Sequence, residues 1–315
     1  MISQTAIGFT QRLAAEGVQS WLTPDPTAQA GASQLLPYAP VLTSGSVTGV
    51  ALPGDAPPDL RAVAGLCGSL GGRTAPHGGP DGHVSAPLDP ELAHDRAGLV
   101  SAALELRAAV GRDNLLVQIP ATDSGIEAVT DCLAEGLPVD VTLICGTQQC
   151  ERALGAFVAG MEQAMIAGHD LRRIRAVLSC PVDLIDTVAT LPQDGAATAG
   201  VSVARLLYRL REQLLGGSWW RILRAARAQQ PTFLWTGVRP HHTARLVGWN
   251  TGMTFAPAAL EQAACQAELT GDTLLNRHLE AARELAALAT AESARSAAGA
   301  VVEAELGRRR QAWGA

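Results

Sequence analysis

The chain has no lysine: all 24 of its basic residues are arginines. That excludes every mechanism built on a lysine ε-amine, whether as Schiff base or as general base. A basic surplus is also missing, because the net charge is −6, whereas nucleic-acid binding needs cationic patches that displace phosphate counterions. No apolar run reaches the roughly 20 residues of a membrane helix. The N-terminal Met1-Ile2-Ser3-Gln4 has neither a basic start nor an apolar stretch, so no secretory signal is expected and the chain reads as cytoplasmic. The six cysteines form no C-x-x-C pair and are expected to be free thiols. The seven histidines show no i, i+4 pair with a nearby acid, so no metal site is expected. No strand leads into G-x-G-x-x-G or G-x-x-x-x-G-K-[ST], and no cofactor is expected.

What is present is a chain of 315 residues, 47% hydrophobic, with 32 glycines. This is enough for one large domain spanning residues 1–315. Its pattern predicts a helix over 5–16, a strand over 18–22 and a strand over 41–44. Loops follow over 24–34, 50–60 and 71–82, with a helix near 60–70. Beyond residue 82, strands over 83–86, 115–119, 139–144, 176–179, 232–235 and 250–255 alternate with helical stretches. The helices fall near 91–110, 124–135, 147–167, 183–190, 200–228 and 241–247. Such alternation means parallel β/α units, and eight strands suggest a closed (β/α)8 barrel. An open doubly wound sheet is the alternative, without a phosphate-binding loop to support it. The Ala-rich segment 257–315 reads as C-terminal helices, broken near Gly271. Their apolar stripe suits the barrel mouth or a second subunit, so a homodimer is an open expectation.

Several ordered motifs resemble the transaldolase family. They are Asp81-Gly82-His83-Val84-Ser85 with Leu92-Ala93-His94-Asp95, and Asn114-Leu115-Leu116-Val117-Gln118-Ile119-Pro120-Ala121-Thr122. Ala134 to Ile144, Gly168 to Ile174, Thr236-Gly237-Val238-Arg239 and Pro257 to Leu260 continue the series. The resemblance implies a transaldolase-type (β/α)8 barrel with its site at the C-terminal ends of the strands. It also implies losses. The family's Schiff-base lysine falls at Gln118, its strand-one aspartate at Thr23 and its strand-three glutamate at Pro87. Its strand-two asparagine falls at Gly45, and a phosphate-binding arginine at Leu184. Thr142, Ser179 and the cationic turn residue Arg239 keep their type.

The candidate catalytic residues are therefore Gln118, as an amide donor to a carbonyl or enolate oxygen, Asp183 as a base, and Ser179 and Thr142 as positioning hydroxyls. Candidate substrate contacts are Arg239 for an anion, Trp235 for stacking, Asp89 and His241. Asp183 and Asp89 equally suit helix N-termini. Cys145 and Cys180 end strands, but no base is visible that would activate a thiol. His94-Asp95 is expected to be structural. With Pro87 and Leu184 in place of charges, the mouth favours a less charged carbonyl compound over a sugar phosphate. Two functions are expected. One is an enzyme of the lyase, cyclase or isomerase type, acting on a small molecule in specialised metabolism by acid–base and hydrogen-bond catalysis. The other is a pseudoenzyme that binds a ligand or a protein partner.

Overall fold

The structure is a computed structural model that describes residues 2–25, 31–71, 82–188, 199–288 and 291–314. Asp81, parts of the loops expected over 24–34 and 71–82, and residues 189–190 of the helix expected over 183–190 lie outside these residues. Eight strands close a parallel barrel in sequential order. They are β1 Val18–Leu22, β2 Gly49–Ala51, β3 His83–Pro87, β4 Leu115–Pro120, β5 Val139–Thr142, β6 Ala176–Pro181, β7 Thr232–Thr236 and β8 Thr251–Phe255. The helices around it are α1 Gln4–Ala15, α2 Ala39–Ser44, α3 Leu60–Leu70, α4 Arg96–Val110, α5 Asp123–Ala134 and α6 Thr147–Ile166. They continue with α7 Val182–Val188, α8 Ala199–Leu215, α9 Ser218–Ala225, α10 Pro240–Thr243, α11 Pro257–Gln266, α12 His278–Leu288 and α13 Ala291–Trp313. The expected (β/α)8 barrel with C-terminal helices is what the chain forms.

One strand expectation is corrected. Residues 41–44 belong to α2, not to a strand. Pro40 suits the first helical turn, and Gly45, at φ 87°, ends the helix in the left-handed region. The second strand is Gly49–Ala51, inside and just before the stretch read as loop. Gly45 therefore precedes β2 and cannot stand at its C-terminal end; the residues just beyond β2 are Leu52 and Pro53.

Alternation along the strands separates two cores. Trp21, Ala51, Leu116, Val177 and Leu234 pack together inside the barrel. Their neighbours Leu22, Val50, Leu115, Val117, Leu178, Phe233 and Trp235 pack in the layer beneath the helices. The Trp21 ring needs Gly49 on the adjoining strand, because a Cβ there would collide with the indole. Short caps set the helices against this frame. Asp59 accepts from the backbone N–H groups of Arg61 and Ala62, Asp95 from Gly98, and Thr122 from Gly125. Each contributes about 1 kcal/mol.

The lower end of the barrel, where the strands start, is tied by side chains. Asn114 Nδ2 donates to the carbonyls of Cys67 and Gly82 at 3.0 and 2.9 Å, clasping α3 and β3 to β4. Arg211 on α8 donates to the Trp249 and Asn250 carbonyls at 2.7 Å each. At the upper end α13 contacts the turn Pro90–His94 and α7, with Val301, Val302 and Leu306 buried. The C-terminal helix α13 thus lies over the barrel mouth, one of the two placements expected for the C-terminal apolar stripe. Among the described residues no helix is long and apolar enough to cross a membrane.

Candidate functional site

The mouth of the barrel holds a cavity lined by Pro87, Leu88, Asp89, Gln118, Pro120 and Thr142, with Gly54 and Pro90 at its edge and Leu306 and Arg309 from α13 above. The free space is about 20 Å³, room for a single water. Pairing places Pro87 beside Gln118 and Pro120 beside Thr142. Just past Thr142 the backbone of Leu143 turns through φ 61°, a left-handed conformation that a leucine adopts at a cost of about 1–2 kcal/mol.

Gln118 is buried at the centre of this floor. Its Nε2 donates to the carbonyls of Leu52 at 2.8 Å and Ser85 at 3.3 Å. Both acceptors are backbone oxygens, so the nitrogen end of the amide is fixed and both its hydrogens are engaged. The expectation of an oxyanion donor is therefore corrected. What Gln118 has left for the cavity is Oε1, an acceptor with no hydrogen-bond partner among the described residues. It suits an O–H or N–H of a ligand, not a negative oxygen.

Beneath this floor lies Asp140, paired in register with Gln118 on one side and Val177 on the other. Ser85 and Ser179 donate to its two oxygens at 2.6 Å each. Ser85 is on β3 and Asp140 on β5, so the first bond passes across the barrel interior behind β4. Burial pushes the Asp140 carboxyl up to about 6, against the pull of the Ser179 and Ser85 hydroxyls and the Arg309 charge. Ser179 is consequently committed to Asp140 and buried, not presented to the open cavity. Thr142 does line the cavity, as does Asp89, whose Oδ1 also accepts from the backbone N–H of Glu91 and caps the following turn.

The other candidates form a second cluster, between the loops after β6 and β7. Asp183 opens α7, its Oδ1 accepting from Leu184 N–H at 2.8 Å. Burial raises its pKa, while that hydrogen bond and the charges of Arg239 and His242 oppose the shift. Gly237 is required beside it, since its φ is 66° and any Cβ would strike the carboxylate. Arg239 and His241 are exposed. Burial, and then the neighbouring His242, lower the pKa of His241. Asp183, Arg239 and His241 do not line the mouth cavity. Donor atoms of Asp186, His241 and His242 lie within 4.8 Å of one another, spacing that a metal would accept. However, His242 Nδ1 accepts from Arg239 N–H at 3.2 Å, so Nε2 carries the ring proton and donates to Asp186 at 2.8 Å. A metal at Nε2 would have to remove the ring's last N–H proton, so the pair reads as a hydrogen-bonded strut.

One further expectation is corrected. Trp235 does not reach the mouth. It is fully buried on the outer face of β7, stacked on Phe233 at 5.2 Å, because residues 233 and 235 share the face opposite Leu234. Cys145 and Cys180 are buried, and burial pushes the Cys145 thiol up to about 12 and that of Cys180 well above its ordinary value. Neither is a ready thiolate. His94 binds Glu303 of α13 at 3.2 Å, and Asp95 caps α4.

The sequence reading missed Asp140 and Arg309. Asp140 had a signal: alternation in Val139-Asp140-Val141-Thr142 puts it on the same face as Thr142. Arg309 had none, since only tertiary packing brings α13 to the mouth.

The Transaldolase/Fructose-6-phosphate aldolase family profile matches residues 58–305. The chain belongs to this family. A transaldolase of Mycolicibacterium smegmatis is 37% identical over 67% of this chain and 62% of its own length. One of Renibacterium salmoninarum is 35% identical, covering 72% and 65%. Transaldolase 1 of Streptomyces coelicolor is 34% identical, covering 73% and 64%. The match thus spans less than two thirds of these relatives' length. A solved Haloferax volcanii malate synthase complex with pyruvate and acetyl-CoA aligns at 14% identity over 87% of this chain and 76% of its own, with a TM-score of 0.45, too low to inform function. Within the transaldolase-family barrel, Gln118, Asp140, Thr142 and Ser179 fall inside the matched segment, and Arg309 lies beyond it.

Proposed function

We propose that this transaldolase-family barrel is an enzyme acting on a carbonyl-containing small molecule without a Schiff base. One observation carries the reading: the chain has no lysine, and the position to which the family resemblance assigns the amine is Gln118, whose amide is tied to two backbone carbonyls. An amide nitrogen is not nucleophilic, because its lone pair is delocalised into the carbonyl. Pro87, at the family's strand-three glutamate, has no ionisable group. Covalent catalysis gives way to proton transfer, and Asp140 replaces the expected Asp183 as the acid–base group. A carboxyl titrating near 6 is suited to both halves of a proton transfer near neutral pH. Neither it nor the serines that hold it, Ser179 and Ser85, line the closed cavity, so the transfer requires the mouth to open as far as Ser179, whose hydroxyl then takes the ligand's proton as it passes its own to the carboxylate. Gln118 Oε1 and Thr142 orient the ligand. Isomerisation, elimination, cyclisation and non-covalent carbon–carbon bond formation fit this set, in specialised rather than sugar-phosphate metabolism.

The test is borohydride reduction in the presence of fructose 6-phosphate, followed by intact mass measurement. The expected mass is unchanged. A reduced adduct, or transaldolase turnover, overturns the proposal. A non-catalytic ligand- or partner-binding role is the second reading, favoured by a mouth left with about 20 Å³ of free space. It gains if carbonyl compounds stabilise the fold, by about 2.7 kcal/mol at a hundred times the dissociation constant, and none is turned over.

A further inference from the structure

We propose that the ligand of the mouth carries a carboxylate and that Arg309, on α13, is the residue that binds it. The proposal rests on the reading of the mouth as a ligand site.

Arg309 is the only cation among the residues lining the cavity. Its Nε donates to Glu305 Oε1 at 2.8 Å, and this bond holds the side chain against its own helix. The two terminal nitrogens have no hydrogen-bond partner among the described residues. Their place is built: Nη1 lies in a notch over Gly54, where any Cβ would collide with it and with Cζ. The side chain is only 18% exposed, and it lines the cavity. A half-buried guanidinium with a free fork matches the two oxygens of a carboxylate. A phosphate dianion offers more acceptors than one fork satisfies; the lining adds only the Thr142 hydroxyl as a further side-chain donor, and the Asp89 carboxylate on the same lining repels a dianion more than a monoanion. Gln118 Oε1, across the same cavity, calls for a ligand hydroxyl. Together these describe a small hydroxycarboxylate.

With about 20 Å³ free, such a ligand enters only as α13 yields. The helix is well placed to do so. Its polar ties to the rim are Glu303 to His94 at 3.2 Å, Arg308 to Asp55 at 4.0 Å, Arg310 to Glu91 at 3.8 Å and Arg310 Nε to the Pro90 carbonyl at 3.4 Å. Exposed or long pairs of this kind hold little.

The experiment titrates the full chain with glycolate, with hydroxyacetone as its uncharged counterpart, and with inorganic phosphate, reading the melting temperature and the heat of binding. Glycolate is expected to stabilise saturably and to bind more tightly than the other two. Arg309→Gln should weaken glycolate by about tenfold or more. Gly54→Ala, which displaces the guanidinium without changing charge, should weaken it in the same direction. Arg308→Gln removes the other partner of Glu305 and a tie of α13 to the rim but no cavity group, and should not weaken glycolate binding. Undiminished binding by Arg309→Gln, or equal binding of glycolate and hydroxyacetone, overturns the carboxylate assignment alone. Tighter Arg309-dependent binding of phosphate overturns it in favour of a phosphate ligand. No saturable response to any of the three overturns the mouth as a ligand site as well.

Discussion

The two ends of the barrel use polar side chains in opposite ways. At the lower end they close on backbone carbonyls and on one another, away from the mouth cavity. Asn114 closes on two carbonyls, Arg175 on Gln229 and Thr232, and Arg211 on two more carbonyls. Burial holds His83 neutral there, its pKa lowered to about 3, with the nearby Arg175 charge pressing the same way. At the upper end the polar groups keep capacity in reserve. Gln118 spends its hydrogens and keeps its oxygen, and Arg309 spends Nε and keeps its fork. Spare hydrogen-bonding capacity is costly unless something fills it; at the lower end Arg211 Nε is also buried without a partner among the described residues, but the spare atoms at the upper end belong to residues that line the mouth cavity, and that is where a ligand belongs. The lower end is where the fold is fastened.

The sharpest way to break this comparison is Arg211→Ala. The guanidinium is 1% exposed, donates to Asn250 and Trp249, and stacks over Tyr208 at 4.5 Å. Its loss removes the Asn250 carbonyl's side-chain donor, leaves the Trp249 carbonyl only the longer bond from the Tyr208 hydroxyl at 3.4 Å, and opens a cavity beside Phe233. The expected cost is about 3–5 kcal/mol, read from urea denaturation. A cost below about 1 kcal/mol would mean that the lower end is not the fastened one.

The sequence carried most of the barrel and less of this division. From β3 onward, short apolar runs separated by amphipathic helices made the β/α units legible. β2 did not stand out. It is three residues long, contains the glycine that Trp21 needs, and runs into prolines, while the β-branched Val41 and Thr43 gave a helix the look of a strand. At the site, Gln118 and Thr142 were legible because strand ends face the mouth. Trp235 was misplaced by one face of the pleat. Whether Gln118 offers a donor or an acceptor depends on the Leu52 and Ser85 carbonyls, which only the closed barrel brings within reach.

Asp140→Asn sharpens the comparison from inside the upper half. The folded pKa near 6 stands above the ordinary 3.8, so the folded state holds this proton more tightly than the unfolded chain does. The contribution to stability is complete below about pH 4 and is lost as pH rises through about 6. Two units correspond to roughly 3 kcal/mol. Asparagine keeps a hydrogen-bonding contact with both serines and has no charge to bury. It is expected to gain about 1–3 kcal/mol at pH 7, with no gain near pH 4, measured by urea melts at the two values. Turnover, under the proposed mechanism, should fall in the same protein. A residue that costs stability and supports chemistry belongs to the upper end; a loss of stability at pH 7 would place Asp140 with the fastenings instead.

The smallest effect is expected at Gln118. Gln118→Leu removes the donor to the Leu52 carbonyl, while the Ser85 carbonyl keeps its bond from Leu52 N–H at 2.9 Å. The expected cost is about 1 kcal/mol, with ligand binding lost by more than stability is. Gln118→Lys should cost about as little and restore nothing. Its ammonium would sit where the amide sits, facing the same two carbonyls, which favour the charged form. Attack on a carbonyl needs the neutral amine, and Pro87 and Leu184 supply neither the carboxylate nor the second arginine that the family resemblance assigns to those positions. The check is borohydride trapping of the variant with fructose 6-phosphate. An adduct formed at an ordinary rate would mean that one side chain separates this mouth from a Schiff-base site; its absence would mean that the whole upper end has been rebuilt around a different ligand.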